Sequence, residues 1–435
     1  MIKPNIKTEL LARREKLLAQ MKPNSVALFF ASPEVVRSND THYPYRQNSD
    51  FWYFTFFAEP EAVLAIIKQE DNSCRYVLFN RKKDPVAETW TGYRLGQQAA
   101  LETIFVDEAY LFDEISTVLP DLLNGKTAIY HADQQYDYAD QLVKQALTTL
   151  RQGARLNLSA PTTLIDWRPV VHEMRMFKSD FEMAILREAC KISAQAHVRA
   201  MQKCKPLMYE YQLEAEILHE FARHGARWPS YNTIVGGGNN GCILHYENNS
   251  EPLNTGDLVL IDAGCEYQYY AGDITRTFPI NGKFSQAQRE IYDIVLASQY
   301  QAIKLFKPGT SIQEVNQKVV RTMVEGLVKL GIMQGDVETL IADKAYSTYY
   351  MHGLGHWLGM DVHDVGSGRD RLLEPGMVLT VEPGLYINQD SDVPDRYKGI
   401  GIRIEDNILI TQSGNQVLTS DVPKDPDEIE KLMRT

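Results

Sequence analysis

The sequence predicts an α+β protein in which a helix-helix-strand-strand unit occurs twice behind a smaller mixed α/β domain. Three observations lead there. Short apolar runs with strand character surround one clear helix up to about residue 175, and two long helix pairs follow. The segment Gly256 to Gly264, G-D-L-V-L-I-D-A-G, is then echoed by Gly376 to Gly384, G-M-V-L-T-V-E-P-G. Each copy has a glycine, an apolar strand, a carboxylate six residues on and a glycine eight on.

In the first domain, residues 1–175, the runs "SVALFFAS", "AVLAIIK" and "RYVLFN" read as strands, and "QQYDYADQLVKQALTTLRQG" as a helix ended near Gly153. The stretch "LIDWRPVVHEMRMFKS" reads as a connector. Ser179 followed by Glu182 is a capping-box pattern and opens the second domain, residues 176–435, with a helix over "SDFEMAILREACKISAQAHVRAMQKC". The first repeat continues with the helix "YQLEAEILHEFARHG" and strands over "GDLVLIDAG" and "YAGDITRTF". The second has helices over "SQAQREIYDIVLASQYQAIKLF" and "SIQEVNQKVVRTMVEGLVKLG", then strands over "GMVLTVEPG" and "GIGIRIEDNILI".

Composition limits what such a protein does. Its 435 residues, 44% of them hydrophobic, suffice for two or three domains with sizeable cores. With 57 acidic against 45 basic residues the net charge is -12, the wrong sign for a general affinity for nucleic acid or anionic membranes. No apolar run approaches the roughly 20 residues of a membrane span. The opening "MIKPNIKTELLARREKLLAQM" carries charges where a signal peptide's apolar block would sit. Cys74, Cys190, Cys204, Cys242 and Cys265 are scattered and odd in number, as expected of reduced thiols in the cytoplasm.

Chemistry gathers in the repeats. Asp262 and Glu382 end equivalent strands, and each half offers a second acid further on, Asp273 in "YAGDITRTF" and Glu405 in "GIRIEDN". Four converging carboxylates repel one another and raise their pKa values unless cations cancel the charge. The glycine-spaced "MHGLGHWLGMDVHD", residues 351–364, supplies His356 beside them. Four carboxylates and one imidazole suit manganese or a similar octahedral ion better than structural zinc. Two such ions can clamp both oxygens of a hydrolytic transition state, which makes a catalyst for cleaving an amide or an ester. His352 and His356 share the spacing of the zinc-protease motif HExxH. The glutamate is missing, however, and Gly353 and Gly355 disfavour a helix, so a mononuclear zinc peptidase fits poorly. Cys242, three residues before His245, reads as a small buried thiol rather than a nucleophile.

"LIDAGCEYQYYAGDITRTF", "HGLGHWLGMDVHD", "LTVEPGLY" and "GIGIRIED" resemble the successive metal-site motifs of the pita-bread metallopeptidases, most closely the aminopeptidase P family. "RSNDTHYPYRQNSDFWYFT" extends the likeness into the first domain. The resemblance implies a pita-bread catalytic domain of duplicated ααββ halves behind a creatinase-like N-terminal domain. It also implies two divalent ions, most readily manganese, on Asp262, Asp273, His356, Glu382 and Glu405. His245, His352 and His363 correspond to the family's active-site histidines, which bind substrate and stabilise the tetrahedral intermediate. Arg403, placed two residues before Glu405 and so on the same strand face, corresponds to the arginine that forms a polar network with Tyr386 and Asp40. Trp90 and Arg155 correspond to residues bordering the opening of the site.

The implied substrates are peptides with proline in the second position, and the implied assembly is a tetramer in which Trp90 reaches a neighbour's site. One departure stands out: Phe56 occupies the place of the family's glycine in its "TGF" segment, which puts the local conformation there in question. The alternatives are prolidase, methionine aminopeptidase, a metal-free hydrolase of the creatinase type and a non-catalytic pita-bread binding module. The five ligands argue against the last two, and the 175-residue first domain against methionine aminopeptidase. Prolidase is separated only by its restriction to dipeptides.

Overall fold

The computed structural model describes residues 6–434. They fall into two compact units, divided between Met174 and Arg175.

The first unit is built on a six-stranded mixed sheet. Ser25–Phe30 lies inside it, antiparallel to Val63–Lys68 and parallel to Ala128–Tyr130. Cys74–Asn80 and Glu108–Leu111 extend one side and Thr163–Ile165 the other. Every residue of Ser25–Phe30 is buried, which is why "SVALFF" shows no polar alternation. The expected connector is ordered structure: Thr163–Ile165 pairs with Ala128–Tyr130, and Arg168–Met176 is a helix. Trp167 between them is buried and donates its indole N–H to the Leu28 carbonyl at 3.0 Å. One anchoring tryptophan in a polar stretch leaves no periodic signal.

Phe56 caps the helix Ser49–Thr55 in the left-handed conformation, φ 49° and ψ 29°. Glycine adopts that geometry without strain, so the family's glycine there has a physical reason. This chain keeps the conformation with a phenylalanine. Its ring packs edge-on against Trp52 at 4.2 Å and lies 5.1 Å from the Arg13 guanidinium, contacts that offset the strain.

In the second unit Asp180–Lys203 packs on Glu210–Arg223, and Gln286–Leu305 on Ile312–Lys329. Both pairs open with the same device. Ser179 Oγ accepts from the Glu182 amide while Glu182 accepts from the Ser179 amide, and Ser285 and Gln288 repeat the arrangement. Each half then has two antiparallel sheets, of which one is built from Ile234–Gly237, Leu258–Asp262 and Thr275–Pro279 in the first half and from Val378–Val381, Asp406–Ile410 and Asn415–Val417 in the second. A single core, with Ile192, Ile261, Val295, Val319, Val381 and Ile408 among its members, runs through both halves.

The strands expected over "YAGDITRTF" and "GIGIRIEDNILI" are each broken in two. Tyr270–Ala271 and Thr275–Pro279 flank Asp273, and Ile400–Arg403 and Asp406–Ile410 flank Glu405. Both breaks hold a predicted ligand, because a side chain turned toward a common centre departs from the strict alternation of a ladder. Arg403 and Glu405 therefore do not share a strand, contrary to the expectation from their spacing. Among the described residues no helix is long and apolar enough to cross a membrane.

Candidate active site

Asp262 ends the strand Leu258–Asp262, and Glu382 directly follows Val378–Val381. The two breaks bring Asp273 and Glu405 to the same place. His356 sits on an irregular segment docked on Val378–Val381, where its carbonyl accepts from the Thr380 amide at 2.9 Å. That approach explains a glycine: a Cβ on Gly355 would lie 2.1 Å from the Thr380 carbonyl oxygen. Gly264 has the same reason, since a Cβ there would lie 1.7 Å from the Gly272 carbonyl oxygen.

Ligand atoms of Asp273, His356 and Glu405 lie within 4.8 Å of one another. His356 Nε2 is 3.3 Å from Asp273 Oδ2 and 3.6 Å from Glu382 Oε1. Its Nδ1 lies 3.0 Å from the Trp357 carbonyl, which holds a proton on Nδ1 and turns Nε2 toward the carboxylates, the nitrogen a metal would take in place of its proton. Tyr231 bridges Asp262 Oδ1 at 2.5 Å and Asp273 Oδ1 at 2.6 Å, and Thr275 donates to Glu405 Oε2 at 2.7 Å.

Charge is unbalanced here. Burial pushes the Glu382 carboxyl up to about 7, and burial with the neighbouring acids pushes Glu405 and Asp273 above the usual carboxylate range. Asp262 alone is held low: Arg403 and Tyr231 outweigh its burial. Burial opposes charging His356, yet Asp273 and Glu382 raise it to about 9. Four carboxylates, two of them buried and two half-buried, against one guanidinium form a hard oxygen donor set with net negative charge, which fits divalent cations.

All five predicted ligands, with His245, His352, His363 and Arg403, line one cleft of about 510 Å³. Arg403 donates to Tyr386 at 2.8 Å, to Asp262 Oδ2 at 2.7 Å and to Thr275 Oγ1 at 3.0 Å. Of its expected partners Tyr386 is met, and Asp262 and Thr275 are partners that the sequence did not point to. Asp40 is exposed in the first unit, beside the short strand Thr41–His42. Trp90, 85% exposed, and Arg155, also exposed, belong to the first unit too. His363 stands edge-on to His356, ring centroids 4.5 Å apart, and burial and His356 lower its pKa. Burial raises the Cys242 thiol to about 12, which suits an inert cysteine. Sequence reasoning missed Tyr231 and Arg369, which line the same cleft. Neither stands in a motif with chemical meaning of its own.

Comparison with known proteins identifies the family. Residues 184–412 match Metallopeptidase family M24, and residues 11–130 match the aminopeptidase P N-terminal domain. The chain is 64% identical to the Xaa-Pro aminopeptidase of Escherichia coli over 98% of this chain and 97% of the relative. It is 33% identical to human Xaa-Pro aminopeptidase 3, over 98% and 85%. A zinc-substituted E. coli aminopeptidase P in complex with product superposes with a TM-score of 0.98 at 63% identity, over 98% of both chains. With both of its units matched by family models and its relatives covered over nearly their whole length, the chain belongs to the aminopeptidase P branch of metallopeptidase family M24 and is a metal-dependent aminopeptidase.

Proposed function

We propose that this aminopeptidase releases the N-terminal residue of peptides that carry proline in the second position, with two manganese ions on Asp262, Asp273, His356, Glu382 and Glu405. The observation that carries the reading is the meeting of two matched pairs of carboxylates with His356 in one cleft. When bound, the ions supply Lewis-acid charge that acidifies water and polarises the scissile carbonyl.

The chain's own groups do the rest. Glu382, in the cleft beside the other ligands, is suited as a carboxylate to take a proton from the attacking water and return it to the prolyl nitrogen. His352 is kept neutral by burial and by Arg403, its pKa lowered to about 4. Its Nδ1 donates to the Gly353 carbonyl at 2.8 Å, so its Nε2 accepts from the Tyr386 hydroxyl at 2.7 Å. Both nitrogens are occupied, and contact with the developing oxyanion falls to His245, exposed in the cleft. His352 then orients Tyr386 and, through it, Arg403. His363 borders the substrate.

Trp90 and Arg155 are assigned to the border of the cleft's opening, Trp90 reaching a neighbouring subunit's site in a homotetramer. The compartment proposed is the cytoplasm, on the strength of five unpaired thiols. The deciding assay compares Xaa-Pro-Xaa tripeptides with Xaa-Pro dipeptides, using EDTA-stripped and manganese-reloaded protein. Tripeptides are expected to have the higher kcat/KM, with turnover only after reloading. A preference for dipeptides would overturn the reading in favour of prolidase.

A further inference from the structure

The segment "EDN", residues 405–407, holds more than one ligand. We propose that Asn407 is the positioning residue for Asp273: its side-chain amide clamps the Asp273 backbone from the opposite half of the domain. The inference rests on the reading of Asp273 as a metal ligand.

Asp273 lies in the break between two strands, where a ladder partner is missing. Its neighbours face the first half: the Gly272 amide donates to the Cys265 carbonyl at 2.9 Å, and the Ile274 carbonyl accepts from the Ala263 amide at 3.0 Å. Backbone groups alternate in direction, so those of Asp273 and Thr275 face the second half. The Thr275 carbonyl is met by the backbone amide of Glu405 at 3.0 Å. Asp273 is met by a side chain. Its amide donates to Asn407 Oδ1 at 3.0 Å, and Asn407 Nδ2 donates to its carbonyl at 2.5 Å. The asparagine thus imitates one antiparallel bridge pair.

The clamp itself is held on every side. The Cys190 thiol lies 3.3 Å from Asn407 Oδ1 and, with the Asp273 amide, gives that oxygen two donors, which fixes the orientation of the side-chain amide. The Asn407 backbone amide donates to Thr419 Oγ1 at 3.1 Å, and Thr419 donates to Asp406 Oδ1 at 2.7 Å. Asp406 also receives Arg276 at 2.8 Å and Lys424 and Gln299 at 2.6 Å each. Asp406 and Asn407 are both fully buried. Three consecutive residues therefore divide the work: Glu405 is a ligand, Asp406 anchors the strand, and Asn407 sets the ligand of the other half. Without the amide, the Asp273 N–H and C=O are buried and unpaired, and the carboxylate loses its fixed origin.

The test is manganese affinity, measured by titration calorimetry with elemental analysis, on the full chain. Asn407→Leu keeps the branching of the side chain and removes both bonds; Asn407→Asp keeps the acceptor and removes the donor, and serves if the leucine variant does not fold. Either should weaken manganese binding about 10- to 100-fold, the usual effect of removing a group that orients a ligand, with the circular dichroism spectrum unchanged. Ile408→Val, a core loss in the same strand, should lower Tm and leave the affinity at the wild-type value. Wild-type affinity in a folded Asn407 variant, or equal weakening in Ile408→Val, would overturn the proposal. A wild-type protein that binds no manganese would overturn the metal reading beneath it.

Discussion

His352 and Tyr386 are joined at 2.7 Å, imidazole Nε2 to phenol oxygen, and neither belongs to the ligand set. The same phenol oxygen accepts from Arg403 at 2.8 Å, and Arg403 reaches Asp262 at 2.7 Å. A hydrogen-bonded line therefore runs from a cleft histidine to a ligand carboxylate.

Tyr386→Phe cuts that line at its middle while preserving the ring, which is buried. We expect kcat/KM to fall about 10- to 100-fold, below the loss from a direct oxyanion donor, with two manganese ions still bound. Steady-state kinetics with elemental analysis on one preparation checks both. Loss of metal instead would mean that the phenol supports Asp262 rather than His352.

Gly355→Ala tests the close approach that seats His356. The added Cβ would sit 2.1 Å from a backbone oxygen, so the strand Val378–Val381 or the histidine segment must move. Overpacking of this kind costs about 1–3 kcal/mol. The variant should fold with lower Tm and bind less manganese. Unchanged metal content and Tm would show that the segment has slack.

The two histidines flanking this glycine looked, in sequence, like one half of a helical metal motif, and only the glycines argued otherwise. Other parts of the site were legible for a different reason. Asp262 and Glu382 end apolar strands at matched places in a duplicated sequence, and a buried charge at a strand end needs a purpose. Asn407 and Tyr231 left no such mark. Each acts on a residue far away in the chain, at separations of 134 and 31 positions for their respective bonds to Asp273 and Asp262, and no local pattern encodes that. The strand breaks at Asp273 and Glu405 were hidden because Tyr270, Ile274 and Thr275 around the first, and Ile402, Ile404 and Ile408 around the second, read as strand on either side. Phe56 was the converse: the sequence showed an oddity, and only its left-handed backbone explained what the glycine had been for.

Arg175 ties the histidine segment to the start of the second unit. Its guanidinium donates to Asp361 Oδ2 at 2.7 Å and Asp364 Oδ1 at 2.6 Å, and Lys178 adds a contact to Asp364 at 3.2 Å. His363 lies between these two acids in sequence. Arg175→Met leaves Asp364, whose side chain is 1% exposed, with Lys178 as its remaining cation. Breaking a buried pair in this way costs about 3–5 kcal/mol. Chemical denaturation should register that loss, and KM should rise as His363 loosens. A stability change below about 1 kcal/mol would show that Lys178 suffices.

Removing the metal should reverse how stability responds to pH. In the stripped protein, burial holds Glu382 at about 7 and also raises Glu405 and Asp273, so these groups prefer to be protonated when folded. Groups with raised pKa values add stability below their unfolded values, near 4, and lose it as pH climbs through the folded ones. His356, raised to about 9, acts in the same direction at higher pH. Bound cations favour the ionised carboxylates and the neutral imidazole, and cancel this loss. His197 works the other way: buried and lowered to about 4, it adds stability above its unfolded value, near 6.5, and loses it in acid. That contribution is common to both forms, so the difference between them isolates the ligands. Calorimetry from pH 5 to 8 should therefore show the Tm of manganese-loaded protein pulling away from that of stripped protein as pH rises. Proton release on adding manganese near pH 6 follows from the same linkage. A Tm gap that is flat or narrows toward pH 8 would mean that the four carboxylates do not share a site that needs cations.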